Sequence, residues 1–258
     1  MADQRVELGD LFEITGRAGT HRVLCGDATS AEDVGRLLGD RVPLLMVTDP
    51  PYGVRYDPAW RAEVRPGQGD RKHTVMHDDR ADWLAAWQLF PGDIAYVWHS
   101  GLHAATVADS LEACRFGIRA QVIWSKSSPV FSRGHYHWQH EPCFYAVRHG
   151  KTARWSGDRR QRTVWPIDNL NRRSNGANTR TDHATQKPVE CMARAIHNHG
   201  DAGDSVYDPF LGSGTTLFAA EHEGRNCVGL DLDPACIAMT LDRARHQGMR
   251  PRRVGRAT

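Results

Sequence analysis

Asp208-Pro209-Phe210-Leu211-Gly212-Ser213-Gly214-Thr215-Thr216 decides how this chain folds. Ser205-Val206-Tyr207 ahead of it reads as a short strand, and Thr215 to Glu223 behind it reads as a helix. Gly212 and Gly214 let the backbone turn tightly between the two and approach a ligand closely. The helix start offers free amide donors. Cys227–Leu230 reads as the next strand and delivers Asp231, 17 residues after Gly214. An acid at that offset can accept hydrogen bonds from ribose hydroxyls. A phosphate-binding loop would end in Gly-Lys-Ser/Thr, and here Gly214-Thr215-Thr216 carries no lysine. A dinucleotide fingerprint needs three glycines, and this turn has two. Asp208 at the strand end suits a cationic ligand better than a pyrophosphate. A plain helix-start turn is the bland alternative.

A second motif, Asp49-Pro50-Pro51-Tyr52, follows the apolar run Leu44-Leu45-Met46-Val47-Thr48. That run is too short for a helix and reads as a buried parallel strand. It delivers Asp49 at its carboxyl end, where open α/β sheets place ligands. An exocyclic amino group on a nucleobase is a poor nucleophile, because its lone pair is delocalised into the ring. Two acceptors on its hydrogens can free that pair. Asp49 supplies one, and the Pro50 carbonyl, held by the stiff Pro50-Pro51 pair, supplies the other. Tyr52 offers a ring face for the base. Read alone, the motif is equally a rigid turn after a strand.

The rest of the chain alternates. Strands are expected at 22–25, 94–98, 118–124 and 143–147. Ser30 through Asp33 fits a capping box that opens a helix toward Leu38. Further helices are expected at 82–89, at 102–114, from Pro188 to His199, and from the Asp233-Pro234 cap to about Arg245. This pattern predicts one α/β domain over 1–258, Rossmann-like, with a mostly parallel seven-stranded sheet and helices on both faces. The basic tail from Gln247 is expected to fray. Residues 53–81 lack periodicity and read as a mobile loop near the site, either a lid or a disordered insertion.

The net charge is only +2, so a nucleic-acid surface requires local clustering. Residues 148–187 provide it, with ten basic and three acidic residues and with Trp155 and Trp165 interleaved. A solvated flexible loop is the competing reading. The six cysteines form no Cys-x-x-Cys pair and read as structural thiols of a reducing compartment. No long apolar run or signal segment stands out, so an intracellular protein without membrane contact is expected. His135, His137 and His140 alternate in a loop-like segment. They read as loop or DNA-contacting side chains, and no metal is expected.

Taken together, the two motifs resemble those of the S-adenosylmethionine-dependent DNA amino-methyltransferases. The catalytic motif precedes the cofactor motif, as in the permuted beta class. The resemblance covers about residues 22–245. It implies catalytic roles for Asp49, Pro50, Pro51 and Tyr52, and a cofactor site at Asp208, Phe210, Gly212, Ser213, Gly214 and Thr215. Thr185-Gln186-Lys187-Pro188 resembles the motif beside the cofactor's methionine part, which adds Lys187 and Pro188. Gly26-Asp27-Ala28 resembles the segment whose Asp contacts adenine, which adds Asp27 and Ala28. Asp231 stands where many relatives carry glutamate, for the ribose. Trp124-Ser125-Lys126 and His140-Glu141-Pro142 look like segments lining the base pocket.

The basic stretch, taken as a target-recognition insert over 148–185, is the implied DNA face, with Arg159, Arg160, Arg162, Arg172 and Arg173 as candidates. The implied activity is site-specific transfer to adenine N6 in double-stranded DNA through base flipping. Cytosine N4 is the alternative. An RNA enzyme and a catalytically silent DNA-binding protein are further ones. By analogy the resemblance also implies a possible homodimer and a cytoplasmic protein of bacterial or phage origin, of the restriction-modification kind.

Overall fold

The computed structural model describes residues 5–54, 76, 78–130, 135–170, 178 and 186–255. Ten strands form one sheet: β1 (Leu11–Thr15), β2 (Thr20–Cys25), β3 (Leu45–Thr48), β4 (Ile94–Trp98), β5 (Phe116–Lys126), β6 (His140–Arg148), β7 (Val164–Ile167), β8 (Ser205–Asp208), β9 (Asn226–Asp231) and β10 (Arg250–Gly255). Their spatial order is β10-β1-β2-β9-β8-β3-β4-β6-β5-β7. β2, β9, β8, β3 and β4 make a continuous parallel block.

The side-chain alternation of β3 shows how the sheet sits in two layers. Leu45 and Val47 point into one core, and Met46 points into the other. The first core packs against α4 (Val189–His197), α5 (Thr215–His222) and α6 (Pro234–His246). The second packs against α1 (Ala31–Leu38), α2 (Leu84–Gln88) and α3 (Ala104–Ala113). Helices on both faces are therefore found as expected. Ser30 accepts the Asp33 N–H at the start of α1, and Asp233 accepts the Ala235 N–H at the start of α6. Pro188 is the residue that caps α4, one position earlier than expected, and Asn178 accepts the Val189 N–H at 2.9 Å.

The expected mostly parallel seven-stranded sheet is not what forms. The seven expected strands exist, but three more join them, and the sheet is mixed. Of nine neighbour pairings, four are antiparallel, those on both sides of β1 and on both sides of β6. Strand direction leaves no local mark in a sequence, so β6 could be read as a strand but not as a reversed one.

β10 overturns the frayed tail through Gly255. Its Arg250-Pro251-Arg252-Arg253 run has no apolar alternation. It is held instead as an edge strand by Arg252 to Glu13 at 3.2 Å and by Arg253 to the buried Asp10 at 3.1 Å. β7 lies at the other edge, where a proline costs no inner ladder bond. Only its Trp165 and Ile167 are buried. All six cysteines are free and buried.

Candidate active site

Two adjacent parallel strands bring the two motifs together. β3 and β8 pair through Leu45 with Val206 and Met46 with Tyr207, so Asp49 and Asp208 emerge at the same end of the sheet. The Thr48 hydroxyl joins the two ends by donating to Asp208 Oδ1 at 2.7 Å. The Phe210 N–H donates to the same oxygen at 3.0 Å. Burial pushes the Asp208 carboxyl up to about 7; hydrogen bonds from Thr216, Thr48 and Phe210 oppose the shift and the nearby Asp49 adds to it.

The glycine turn follows directly. Gly212 and Gly214 both lie in the left-handed region, at φ 54° and 85°. A Cβ on Gly214 would stand 2.8 Å from Thr240 Cγ2 and 2.9 Å from Thr240 Oγ1. The Gly212 N–H donates to Asp231 Oδ2 at 2.8 Å, and the Asp233 N–H donates to Asp231 Oδ1 at 2.9 Å. Asp231 therefore braces the turn. Thr240 donates to the Gly212 carbonyl at 3.0 Å, and the buried Arg243 guanidinium grips the Ser213 carbonyl and hydroxyl. Phe210 packs edge-on against Trp83, with ring centroids 4.6 Å apart. Thr215 reaches across to the Lys187 carbonyl at 3.4 Å.

Asp27 and Ala28 join this group from the neighbouring strand end. Cys25 pairs with Asp231, and the Gly26 N–H donates to the Asp231 carbonyl at 2.9 Å. The Asp27 carboxylate caps its own turn, accepting from both the N–H and the hydroxyl of Thr29 at 2.8 Å. The expected cofactor residues thus gather at the carboxyl ends of β2, β9 and β8, with Lys187 and Pro188 alongside.

The Asp49–Tyr52 motif is pinned on both sides. Trp83 Nε1 donates to the Pro51 carbonyl at 3.0 Å, and the N–H groups of Gly53 and Val54 both donate to Asp78 Oδ1. Tyr52 donates its hydroxyl proton to Glu141 Oε2 at 3.1 Å. The Lys187 side chain reaches this group rather than the glycine turn. Its Nζ stands 2.6 Å from Asp49 Oδ1, 2.9 Å from Glu141 Oε2 and 2.8 Å from the Tyr52 hydroxyl. The approach to Asp49 is a close, largely buried ion pair. Lys126 completes the cluster at 2.5 Å from Glu141 Oε1.

The two carboxyls are driven apart. Burial pushes Glu141 up, but Lys187 and Lys126 overcome it and bring the group down to about 2. Burial raises Asp49 as well, and there Lys187 opposes the shift without cancelling it, while Glu141 adds to it. Burial, together with the Asp49 and Glu141 charges, lifts the Tyr52 phenol well above its ordinary value. Glu141 is therefore held toward its anionic form, and Asp49 is the carboxyl nearer to accepting a proton. Their segments were legible as pocket lining, but the joining of Glu141 and Lys126 to Asp49 was not. Residues that meet from β3, β5, β6 and the start of α4 leave no common spacing.

The basic stretch divides. Arg148 is structural, its guanidinium donating to the carbonyls of Phe90, Gly92 and Cys114. Lys151 pairs with Asp93, and Arg154 pairs with Asp201 and Asp204. Arg159, Arg160 and Arg162 are exposed. Arg172 and Arg173 lie outside the described residues, as do Thr185 and most of the expected loop 53–81. Among the described residues no group of three or more His, Cys, Asp or Glu could hold a metal ion. No helix among them is long and apolar enough to cross a membrane.

A Rossmann-like α/β sheet with a carboxylate cluster and a glycine turn at its strand ends is the arrangement in which open α/β proteins hold nucleotide-like ligands. The family model for DNA methylases, the N6/N4 group, matches residues 44–242, and this chain belongs to that family. It is 26% identical over 207 residues to the type II methyltransferase M2.MboI of Moraxella bovis, covering 72% of this chain and 75% of that protein.

Among solved structures, the M1.HpyAVI–SAM complex aligns with a TM-score of 0.59 at 22% identity, covering 86% of this chain and 98% of that one. The PvuII DNA methyltransferase, described as cytosine-N4-specific, aligns with a TM-score of 0.61 at 15% identity, covering 86% and 85%. At these identities the structural matches establish the fold.

Proposed function

We propose that this chain transfers a methyl group from S-adenosylmethionine to the N6 amino group of adenine in double-stranded DNA, with the target base flipped out of the duplex. The observation that carries the reading is the junction of β3 and β8. It sets the Asp49 carboxylate, the proposed amine acceptor, beside a glycine turn with a buried acid, Asp208, bridged by Thr48. The turn fits the cofactor. Gly212 and Gly214 lie in the left-handed region and let the backbone approach a ligand closely, and a cationic group beside Asp208 would favour its carboxylate form. When bound, S-adenosylmethionine would supply a methyl group already activated on a sulfonium, so no metal is required.

Asp208, Gly212, Gly214 and Asp231 would hold the cofactor, with Asp27 toward its adenine. Asp49 and the Pro50 carbonyl would accept the hydrogens of the target amine, and Tyr52 would stack on the base. Asp49 would then take the proton that the nitrogen sheds. Residues 148–185 would be the target-recognition element of this single domain. Support for adenine is the Asp at the first position of the motif; cytosine N4 is the alternative.

The test is direct. Purified protein is incubated with S-adenosylmethionine and unmethylated duplex DNA of mixed sequence, and the nucleosides are analysed by mass spectrometry. N6-methyladenine supports the reading. N4-methylcytosine keeps the enzyme and changes the base, and no methylated base overturns it.

Neutralising Arg159, Arg160 and Arg162 together is expected to weaken DNA binding and flatten its dependence on salt. Each lost phosphate contact removes about 0.9 from the log–log slope. Binding titrations at several salt concentrations read this, and an unaltered slope would move the DNA surface elsewhere.

Asp208 carries a pH signature. Its folded value, about 7, lies above the unfolded carboxyl value of 3.8. Between these the folded state holds more protons than the unfolded one, so this group's contribution to stability falls as pH rises through 7. Asp208→Asn is expected to gain Tm relative to wild type as pH goes from 4 to 8. A difference that stays flat with pH would show that Asp208 ionises normally.

A further inference from the structure

We propose that Lys187 is a positioning residue for the transfer step: anchored on Glu141, its ammonium holds Asp49 as a carboxylate and fixes the oxygen that receives the target amine. The inference rests on the function proposed above for the same site.

Lys187 is only 4% exposed, and its Nζ is shared among Asp49, Glu141 and the Tyr52 hydroxyl, all within 2.9 Å. A lysine this deep needs full compensation, since an isolated buried ammonium is strongly disfavoured. Glu141 supplies part of it, but Lys126 already claims the other Glu141 oxygen. The second half of the compensation must come from Asp49. The converse holds for Asp49. The groups facing it are Lys187 from the start of α4, Glu141 and Cys143 from β6, Cys191 from α4, Asp208 from β8, and Tyr52 from its own turn. The two thiols and the phenol are neutral, their values raised well above the ordinary ones. Glu141 and Asp208 are acids that make ionisation of Asp49 harder. Lys187 is thus the one positive charge among these groups. An Asp49 that is protonated before the base arrives can neither accept an amine hydrogen at that oxygen nor take up the nitrogen's surplus proton.

The sign follows. Removing the ammonium leaves acids, Glu141 and Asp208, as the charged neighbours of Asp49 among these groups, so its protonation midpoint rises. An opposite charge at this range is worth about one to three pH units. In Lys187→Gln, the acid limb of single-turnover methyl transfer is therefore expected to move up by about that much, with the rate recovering at higher pH. Lys187→Arg, which keeps the charge, is expected to return the limb toward wild type.

The titration is also read without catalysis. In protein labelled with 13C at the aspartate carboxyl, the resonance missing from Asp49→Asn identifies Asp49. Its midpoint is expected to rise by the same amount in Lys187→Gln. Lys187→Met, of similar volume, carries the same test should the amide variant not fold. An Asp49 midpoint identical in wild type and the charge-removed variant overturns the proposal, whatever the enzyme methylates. A rate lowered equally at all pH values, with no movement of the limb, assigns Lys187 a purely structural part and overturns it as well. Failure of the wild type to methylate DNA, with the Asp49 shift intact, would instead refute the proposed function.

Discussion

Asp49→Ala is expected to lower methyl transfer by about a thousandfold or more while leaving cofactor binding nearly intact. Removing one preorganised polar group from a reacting centre typically costs about 100- to 1,000-fold. In the proposed reaction Asp49 has two tasks, as amine acceptor and as proton acceptor. The substitution removes the Asp49 half of the compensation at Lys187, which keeps Glu141 at 2.9 Å and the Tyr52 hydroxyl at 2.8 Å. A thermal melt reads what that costs in stability and separates it from the loss of transfer. Asp49 lies apart from the bonds that brace the glycine turn, which run through Asp231, Thr240 and Arg243. Calorimetry with S-adenosylmethionine should accordingly return an affinity near that of wild type. Single-turnover transfer within tenfold of wild type would remove Asp49 from the role of amine acceptor.

The second large effect is expected at Gly214→Val. Gly214 sits at φ 85°, where a β-branched residue is an outlier. Strain of this kind costs about 1–3 kcal/mol. The new Cβ would also press against Thr240 at 2.8–2.9 Å, and the Thr240 hydroxyl is the donor that holds the Gly212 carbonyl. Relief must come from moving either the turn, which carries the proposed cofactor residues, or α6, whose Thr240 braces it. A loss of about 100-fold or more in cofactor affinity is expected, since each tenfold corresponds to about 1.4 kcal/mol. Calorimetry reads it, and circular dichroism separates loss of the turn from loss of the fold. Unchanged affinity would show that the turn does not hold the cofactor.

Both predictions concern residues that were legible before any coordinates. Asp49 and Gly214 lie in short contiguous motifs, where a strand end and a turn are encoded by neighbours in the chain. The strands and helices around them were readable for the same reason. An apolar run such as Leu44 to Val47, or a cap such as Asp233-Pro234, is a local event. What stayed hidden was assembled from distance. β10 carries arginines at Arg250, Arg252 and Arg253 and has no apolar pattern. It is held as a strand because Glu13 on β1 and Asp10 just before it meet those arginines. Arg148 counted as part of a basic surface, yet its guanidinium is spent on three backbone carbonyls across the sheet.

The sequence by itself determined the α/β class, the strand–turn–helix unit at Asp208 to Glu223, and the placing of Asp49 at a strand end. Each depends on residues a few positions apart, and the backbone's allowed conformations settle them locally. Only the tertiary structure decided that β6 runs backwards, that ten strands and not seven make the sheet, and that Lys187 turns away from the glycine turn to the carboxylates of Asp49 and Glu141. Those outcomes depend on which charges and apolar faces meet after the chain has crossed the sheet, and burial then sets what the meeting is worth. Lys187 and Asp49 are 2.6 Å apart in space and 138 residues apart in the chain. It is the desolvated pair, not either residue alone, that sets the protonation of the site.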